Sequence, residues 1–385
     1  MKKIKRIVSL AATLALAMSF VACGNSSTGE SDTSTDEGTN KTETTEGTDN
    51  SGDKPYVAVI SKGFQHQFWQ VVKKGAEDAA EKYNVEITFE GPASESDIND
   101  QVNMINSALA KKPKALALAV LDTQSVSSQL SDAQKEGIPV VGFDSGIPGA
   151  PEGQVAATAS TNNYNAATIA ADKLFEEASI VDKIKASTSS DPVVIGVVSQ
   201  DATSASLVDR TKGFIDQAVK HAEELVGAGN VEVSGHDVFN KAATGEVKVK
   251  VVVNVPPTTS VTDVQNSAQA VLSTKNIIAI YGSNEGGVTG ILAATNDGSD
   301  FDKDNGKYKD IVAIGFDSGK GQKTAVEKGW FLGSVTQDPY QIGYQAVELA
   351  VKAMNGEKVE DVDTGAKWYN KDNMNDADIK DLIYD

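Results

Sequence analysis

From Pro55 onward, short and nearly continuous apolar runs alternate with segments whose apolar residues recur every third or fourth position. The runs Tyr56–Ser61, Val85–Glu90, Ala115–Val120, Pro139–Asp144 and Val155–Ser160 predict strands buried on both faces, since a half-exposed strand would alternate apolar with polar residues. In Asp97–Lys111, Ile98, Val102, Ile105 and Leu109 form one helical stripe. Phe68, Val71, Val72, Ala76, Ala79 and Tyr83 form another, directly after the first strand. Strands and helices alternating in this way predict a parallel sheet covered on both faces.

The alternation then begins again. Helices are predicted over Thr161–Glu177, Leu207–Leu225, Thr262–Ser273, Gly286–Thr295, Gly321–Lys328 and Tyr340–Asn355. Strands are predicted over Val193–Ser199, Val247–Val255, Ile277–Tyr281, Ile311–Asp317 and Leu332–Gln337. Two doubly wound α/β lobes accommodate so many strands better than one modest domain. Segment 231–255, with its Val-rich stretch Val247–Val253, reads as an added hairpin. One hexapeptide echoes between the halves: Val141-Gly142-Phe143-Asp144-Ser145-Gly146 returns as Ile314-Gly315-Phe316-Asp317-Ser318-Gly319. Each copy closes an apolar strand, and open α/β sheets bind ligands outside the carboxyl ends of their strands. Either Asp-Ser-Gly alone reads more readily as a turn or helix cap; matched places in two lobes turn the reading toward a ligand-facing carboxylate on each rim.

The first residues have a different texture. Lys2, Lys3, Lys5 and Arg6 precede an apolar stretch from Ile7 to Val21, which is short for a spanning helix of roughly 20 residues and fits the core of an export signal. Phe20-Val21-Ala22-Cys23 resembles the lipobox of bacterial lipoproteins, with Phe20 in place of the usual aliphatic, and Cys23 is the only cysteine in the chain. The resemblance implies a signal peptide over 1–22 and a lipid on Cys23. Residues 24–54 are almost entirely small or polar, with too little apolar surface to offset ordering, so 23–54 is expected to be a tether. A net charge of −19, from 35 Lys and Arg against 54 Asp and Glu, argues against nucleic acid or an anionic membrane surface as a partner.

Catalytic patterns do not emerge. The three histidines, His66, His221 and His236, form no metal-binding spacing. There is no Gly-x-Ser-x-Gly elbow, and the phosphate-loop spacing fails around Lys320. Asp300, Asp302 and Asp304 start like a calcium loop, but Ile311 stands where the closing glutamate belongs. No metal or cofactor is expected.

From Tyr56 to about Tyr369 the order of segments resembles type I periplasmic sugar-binding proteins, with the ribose-binding branch nearest. The same fold serves the effector domains of lactose-repressor-like regulators; with no helix-turn-helix ahead of this body and an export signal, the binding-protein variant is expected. The resemblance implies ligand contacts at His66, Phe68 and Trp69 in the segment after the first strand, where the family stacks aromatics on the sugar. It implies Asp144 after the fourth strand, followed by Ser145 where the family often has Arg. It further implies Arg210 in Arg210-Thr211-Lys212-Gly213-Phe214, Asn284 after an apolar strand, Asp317, and the hinge residue Gln337. Pro256-Pro257-Thr258-Thr259 stands where the family often adds another aromatic. These residue types suit a sugar: Asp accepts from hydroxyls, Arg donates, Asn and Gln do both, and aromatic faces cover the ring's C–H faces.

The resemblance implies a type I architecture: an N-terminal lobe of 55–160 and 338–364, a C-terminal lobe of 161–337 and 365–385, and a three-segment hinge near Ser160, Gln337 and Gly365. It implies an exported, lipid-anchored, monomeric solute-binding protein that closes on a pentose or hexose and presents it to an ABC transporter permease. A receptor for a furanosyl autoinducer, or a sugar sensor's partner, is the alternative. A glycoside hydrolase using Asp144 and Asp317 is disfavoured, because the accompanying Arg, Asn and Gln suit holding hydroxyls rather than acid–base work.

Overall fold

The computed structural model describes residues 54–384. The expected signal peptide, Cys23 and nearly all of the tether lie outside the described residues. The body begins with β1 (Tyr56–Ile60), α1 (Gln67–Tyr83), β2 (Glu86–Glu90), α2 (Ile98–Ala110), β3 (Ala115–Leu118), α3 (Ser127–Lys135), β4 (Val140–Phe143) and β5 (Ala157–Ser160). It continues with α4 (Asn163–Phe175), α5 (Ala178–Ala186), β6 (Val193–Val198), α6 (Ala205–Val226), β7 (Val231–Ser234), β8 (Val249–Asn254) and α7 (Val261–Leu272). Then come β9 (Ile277–Gly282), α8 (Glu285–Ala294), β10 (Val312–Phe316), α9 (Lys320–Glu327), β11 (Phe331–Gln337), α10 (Pro339–Met354), β12 (Val362–Asp363) and β13 (Ala366–Tyr369).

These strands form two sheets, as the two-lobed expectation required. The first has the order β12-β5-β4-β3-β1-β2 and the second β13-β11-β10-β9-β6-β8-β7. All pairings are parallel except β13 against β11. In register, Val57 lies between Ile87 and Ala115. Each sheet reverses its winding beside its first strand, β1 or β6, and each is packed on both faces. In the first, α1 and α10 cover one face through Trp69, Val72, Ala76, Ile342 and Ala346, while Ile105, Leu109 and Leu130 cover the other. In the second, Phe214, Ala218 and Ile180 lie on one face and Val264, Ile291 and Val326 on the other. That is why β1, β3, β4, β6, β9 and β10 are apolar without alternation, whereas β5, β7 and β8 alternate and the edge strand β2, expected to be buried on both faces, is half-exposed.

Helices α1 and α10 cross closely because each brings a glycine to the contact. A Cβ on Gly75 would lie 2.0 Å from the carbonyl oxygen of Tyr340, and one on Gly343 would lie 1.8 Å from that of Val72. Helix α10 starts with Pro339 at its first turn, and Asp338 accepts from the Gln341 amide, a sharp start directly after β11.

The chain passes between sheets after β5, after β11 and after β12. The first and third passages run side by side: Thr364 N donates to Ser160 O, and the Thr161 hydroxyl donates to Gly365 O. The hairpin expected over 231–255 is not formed. Strands β7 and β8 are parallel neighbours, and the connecting residues touch β7 through one antiparallel bridge, Val233 to Lys241. The connection is too long for a tight reversal. Alternate Val231 and Val233 bury one face of β7 on the core while Glu232 and Ser234 stay half-buried, the pattern of an edge strand.

Candidate functional site

The carboxyl ends of the two sheets face each other across a narrow cavity of about 20 Å³. The walls are made by residues at or just beyond strand ends and in the first two turns of helices. The first lobe contributes Lys62 and His66 after β1, Phe68 and Trp69 from the first turn of α1, Glu95 after β2 and Asp144 after β4. The second contributes Leu207 and Arg210 from α6, Asn284 and Glu285 at the start of α8, Asp317 after β10 and Gln337 at the end of β11.

The two echoed aspartates occupy equivalent places. Each leaves its strand in the left-handed region, Asp144 with φ 56° and Asp317 with φ 70°. This conformation is uncommon for residues with a Cβ, and Asp is among those that tolerate it. Each aspartate holds a buried cation. Lys62 Nζ is 2.9 Å from Asp144 Oδ2, and Arg210 Nη1 is 3.2 Å from Asp317 Oδ2. Burial pulls the Lys62 ammonium down, but Asp144, Glu95 and Asp201 together hold it above the ordinary lysine value. Arg210 also donates from Nε to Asn163 Oδ1 at 2.7 Å, and its guanidinium lies 4.1 Å from the centre of the Phe316 ring. Asp317 additionally accepts from the Gln337 side-chain amide and from Glu285 N. The side-chain oxygen of Gln337, Oε1, is buried and has no hydrogen-bond partner among the described residues.

Phe68 and Trp69 meet edge to face, with centroids 5.0 Å apart, and belong to the core as well as to the cavity wall. The Trp69 indole N–H donates to Glu95 Oε1 at 2.7 Å. The other oxygen of Glu95 accepts from Gln200 Nε2 at 2.9 Å. Gln200 Oε1 accepts from Asn284 Nδ2 and lies 3.0 Å from His66 Nε2. Asn284 also caps α8, accepting from Gly287 N, so its cap role and its place on the wall coexist. Ser145 does not line the cavity. Its hydroxyl donates to Asp144 and lies 3.0 Å from the Ser206 hydroxyl, bracing the aspartate from behind.

Of the residues singled out in sequence, His66, Phe68, Trp69, Asp144, Arg210, Asn284, Asp317 and Gln337 converge on one cavity. Lys62, Glu95, Gln200 and Glu285 were missed. Lys62 had a usable signal: it stands one residue beyond an apolar strand, on the rim where ligands gather. Its ammonium supplies Asp144 with the cation that Ser145 cannot. Glu285 is 9% exposed, and burial pushes its carboxyl up to about 7, opposed by His66 and by two amides of α1.

A family model described as a periplasmic binding protein domain matches residues 57–358. The chain belongs to the periplasmic binding protein family. Curated relatives of this binding protein include the D-allose-binding periplasmic protein of Escherichia coli, 24% identical over 315 residues, covering 81% of this chain and 88% of that protein. The ribose import binding protein RbsB of Bacillus subtilis is 24% identical over 317 residues, covering 81% and 86%. Among solved structures, a Brachyspira murdochii protein described as an ABC transporter, LacI family transcriptional regulator is 39% identical, with a TM-score of 0.70, covering 86% of this chain and 99% of that one. An ABC transporter solute-binding protein from Agrobacterium vitis with bound D-fucose is 28% identical, with a TM-score of 0.70, covering 86% and 100%. The curated relatives are transport binding proteins, and this chain is a binding protein rather than an enzyme.

Proposed function

We propose that the chain is the extracytoplasmic solute-binding lipoprotein of an ABC transporter, capturing one monosaccharide between its lobes and delivering it to the permease. The observation that carries this reading is the inter-lobe cavity, where an aromatic pair and two cation-paired aspartates converge. A pyranose or furanose offers apolar C–H faces, which suit Phe68 and Trp69, and hydroxyls, which suit Asp144, Arg210, Asn284 and Asp317. The free oxygen of Gln337 accepts one further hydroxyl. Relatives named for D-allose and ribose, and the neighbour holding D-fucose, support a monosaccharide as the class. Cys23 is the proposed anchor; among the described residues no helix is long and apolar enough to cross a membrane.

Thermal-shift screening of the purified protein against pentoses, hexoses, sugar acids and a furanosyl autoinducer tests the proposal. A sugar at 100-fold its dissociation constant should add about 2.7 kcal/mol. A shift with at least one monosaccharide is expected; none with any member of the set overturns the reading. Intact-mass analysis of membrane-extracted protein tests the anchor, and an unmodified Cys23 overturns it.

A further inference from the structure

Two helices that face the cleft from opposite lobes lack caps of their own. The residue before α1, His66, makes no side-chain capping bond, and the residue before α9 is Gly319, which has no side chain to make one. The first amides of a helix have no intrahelical partner and need one from elsewhere. Here they find it across the cleft. The Glu285 carboxyl, from the second lobe, accepts from the first two amides of α1: Gln67 N to Oε1 at 3.1 Å and Phe68 N to Oε2 at 3.2 Å. Gln67, from the first lobe, returns the bond: its side-chain oxygen accepts from Lys320 N, the first amide of α9, at 2.8 Å.

We propose that this reciprocal capping is the latch of the closed form, with Glu285 and Gln67 as positioning residues that act on the ligand by holding the lobes together. Three further observations agree. Glu285 is itself held in place, because its amide donates to Asp317, which the hinge residue Gln337 also grips. A carboxylate on the first turn of α1 also faces the positive end of that helix. Gly319 adopts φ 132°, and a Cβ there would lie 3.2 Å from the Glu285 carboxyl carbon and 3.4 Å from Gln67 Oε1, so a glycine leaves room for both latch groups. Opening the lobes separates both caps from their helices, whereas caps from within a lobe, such as Asn162 on α4, remain. The inference concerns closure and does not depend on which solute the cavity takes.

Hydrogen exchange measured by mass spectrometry on the full chain, without added sugar, tests it. Glu285→Ala is expected to speed exchange at least tenfold in the peptide holding Gln67 and Phe68, in the lobe that was not mutated. Gln67→Ala is expected to do the same for the peptide holding Lys320. Small-angle scattering should show a larger radius of gyration for both, while the urea midpoint changes little. Glu285→Gln, which keeps one acceptor oxygen, should restore part of the protection. Unchanged exchange across the cleft overturns the latch. So does faster exchange that spreads over the whole mutated lobe with a lowered urea midpoint, because that outcome marks a structural role within one lobe.

Discussion

A change of pH from 8 to 6 perturbs the cleft at a named group, the carboxyl of Glu285. In the closed form, burial raises it from the ordinary 4.5 to about 7, with His66 and the amides of Gln67 and Phe68 opposing the rise and Asp317 adding to it. When the lobes part, the carboxyl returns to water and to its ordinary value. The closed form therefore binds the proton more tightly than the open one. By linkage, the contribution to closure is fully present below about pH 4.5 and is lost as pH rises through about 7. At pH 8 both forms are mostly ionised; at pH 6 the closed form is mostly protonated and the open form is not. The ratio of the two binding polynomials gives closure a gain of about tenfold at pH 6 over pH 8, or about 1.4 kcal/mol, and ligand affinity gains by the share of the free protein that is open. Calorimetric titration with the tightest-binding sugar of the panel, at both pH values and in two buffers of different ionisation heat, measures the affinity change and the proton uptake together. Glu285→Gln should flatten both. Affinity that falls toward pH 6, or a slope that survives in Glu285→Gln, would refute the reasoning.

Other perturbations have equally definite outcomes. Arg210→Met leaves Asp317 buried without its cation and should cost about 3–5 kcal/mol in a urea melt, along with sugar binding; Arg210→Lys should restore part of both. Trp69→Ala removes a ring shared by core and cavity and frees Glu95 of its indole donor, so stability should fall by about 3–5 kcal/mol and affinity should be lost. Gly343→Ala forces a Cβ onto the backbone of α1 and should lower stability by about 1–3 kcal/mol while leaving the cavity lining intact, read as a lower melting temperature with a retained sugar-induced shift.

The sheets were legible because burial on both faces writes each central strand as an apolar run; Val193–Val198, entirely buried, is the plainest case. Elements that depend on a neighbour for their existence were not legible. Strand β12 is two residues long and is defined only by pairing with β5 beside the hinge, and β13 pairs with β11 from the far end of the chain. The parallel placement of β7 was hidden for a related reason: its alternation is that of any edge strand, and its partner is chosen by the crossover rather than by local sequence. In the site, Asp144 and Asp317 were found because a hexapeptide repeats around them, and their shared left-handed backbone shows what the repeat encodes. Glu95, Gln200 and Glu285 belong to no local pattern. They matter through partners more than a hundred residues away or in the opposite lobe, such as the Gln200–Glu95 bond, and only the folded cleft brings these together.

The central claim, that one monosaccharide sits between the lobes, is tested most directly by a crystal structure grown with the sugar that raises the melting temperature most. The account predicts one sugar between the lobes, in the cavity widened from its roughly 20 Å³, its ring against Phe68 and Trp69 and its hydroxyls on Asp144, Arg210, Asp317 and the free oxygen of Gln337. A sugar bound instead in the open groove beside Lys112, Lys114 and Met354, with the inter-lobe cavity filled only by water, would contradict it.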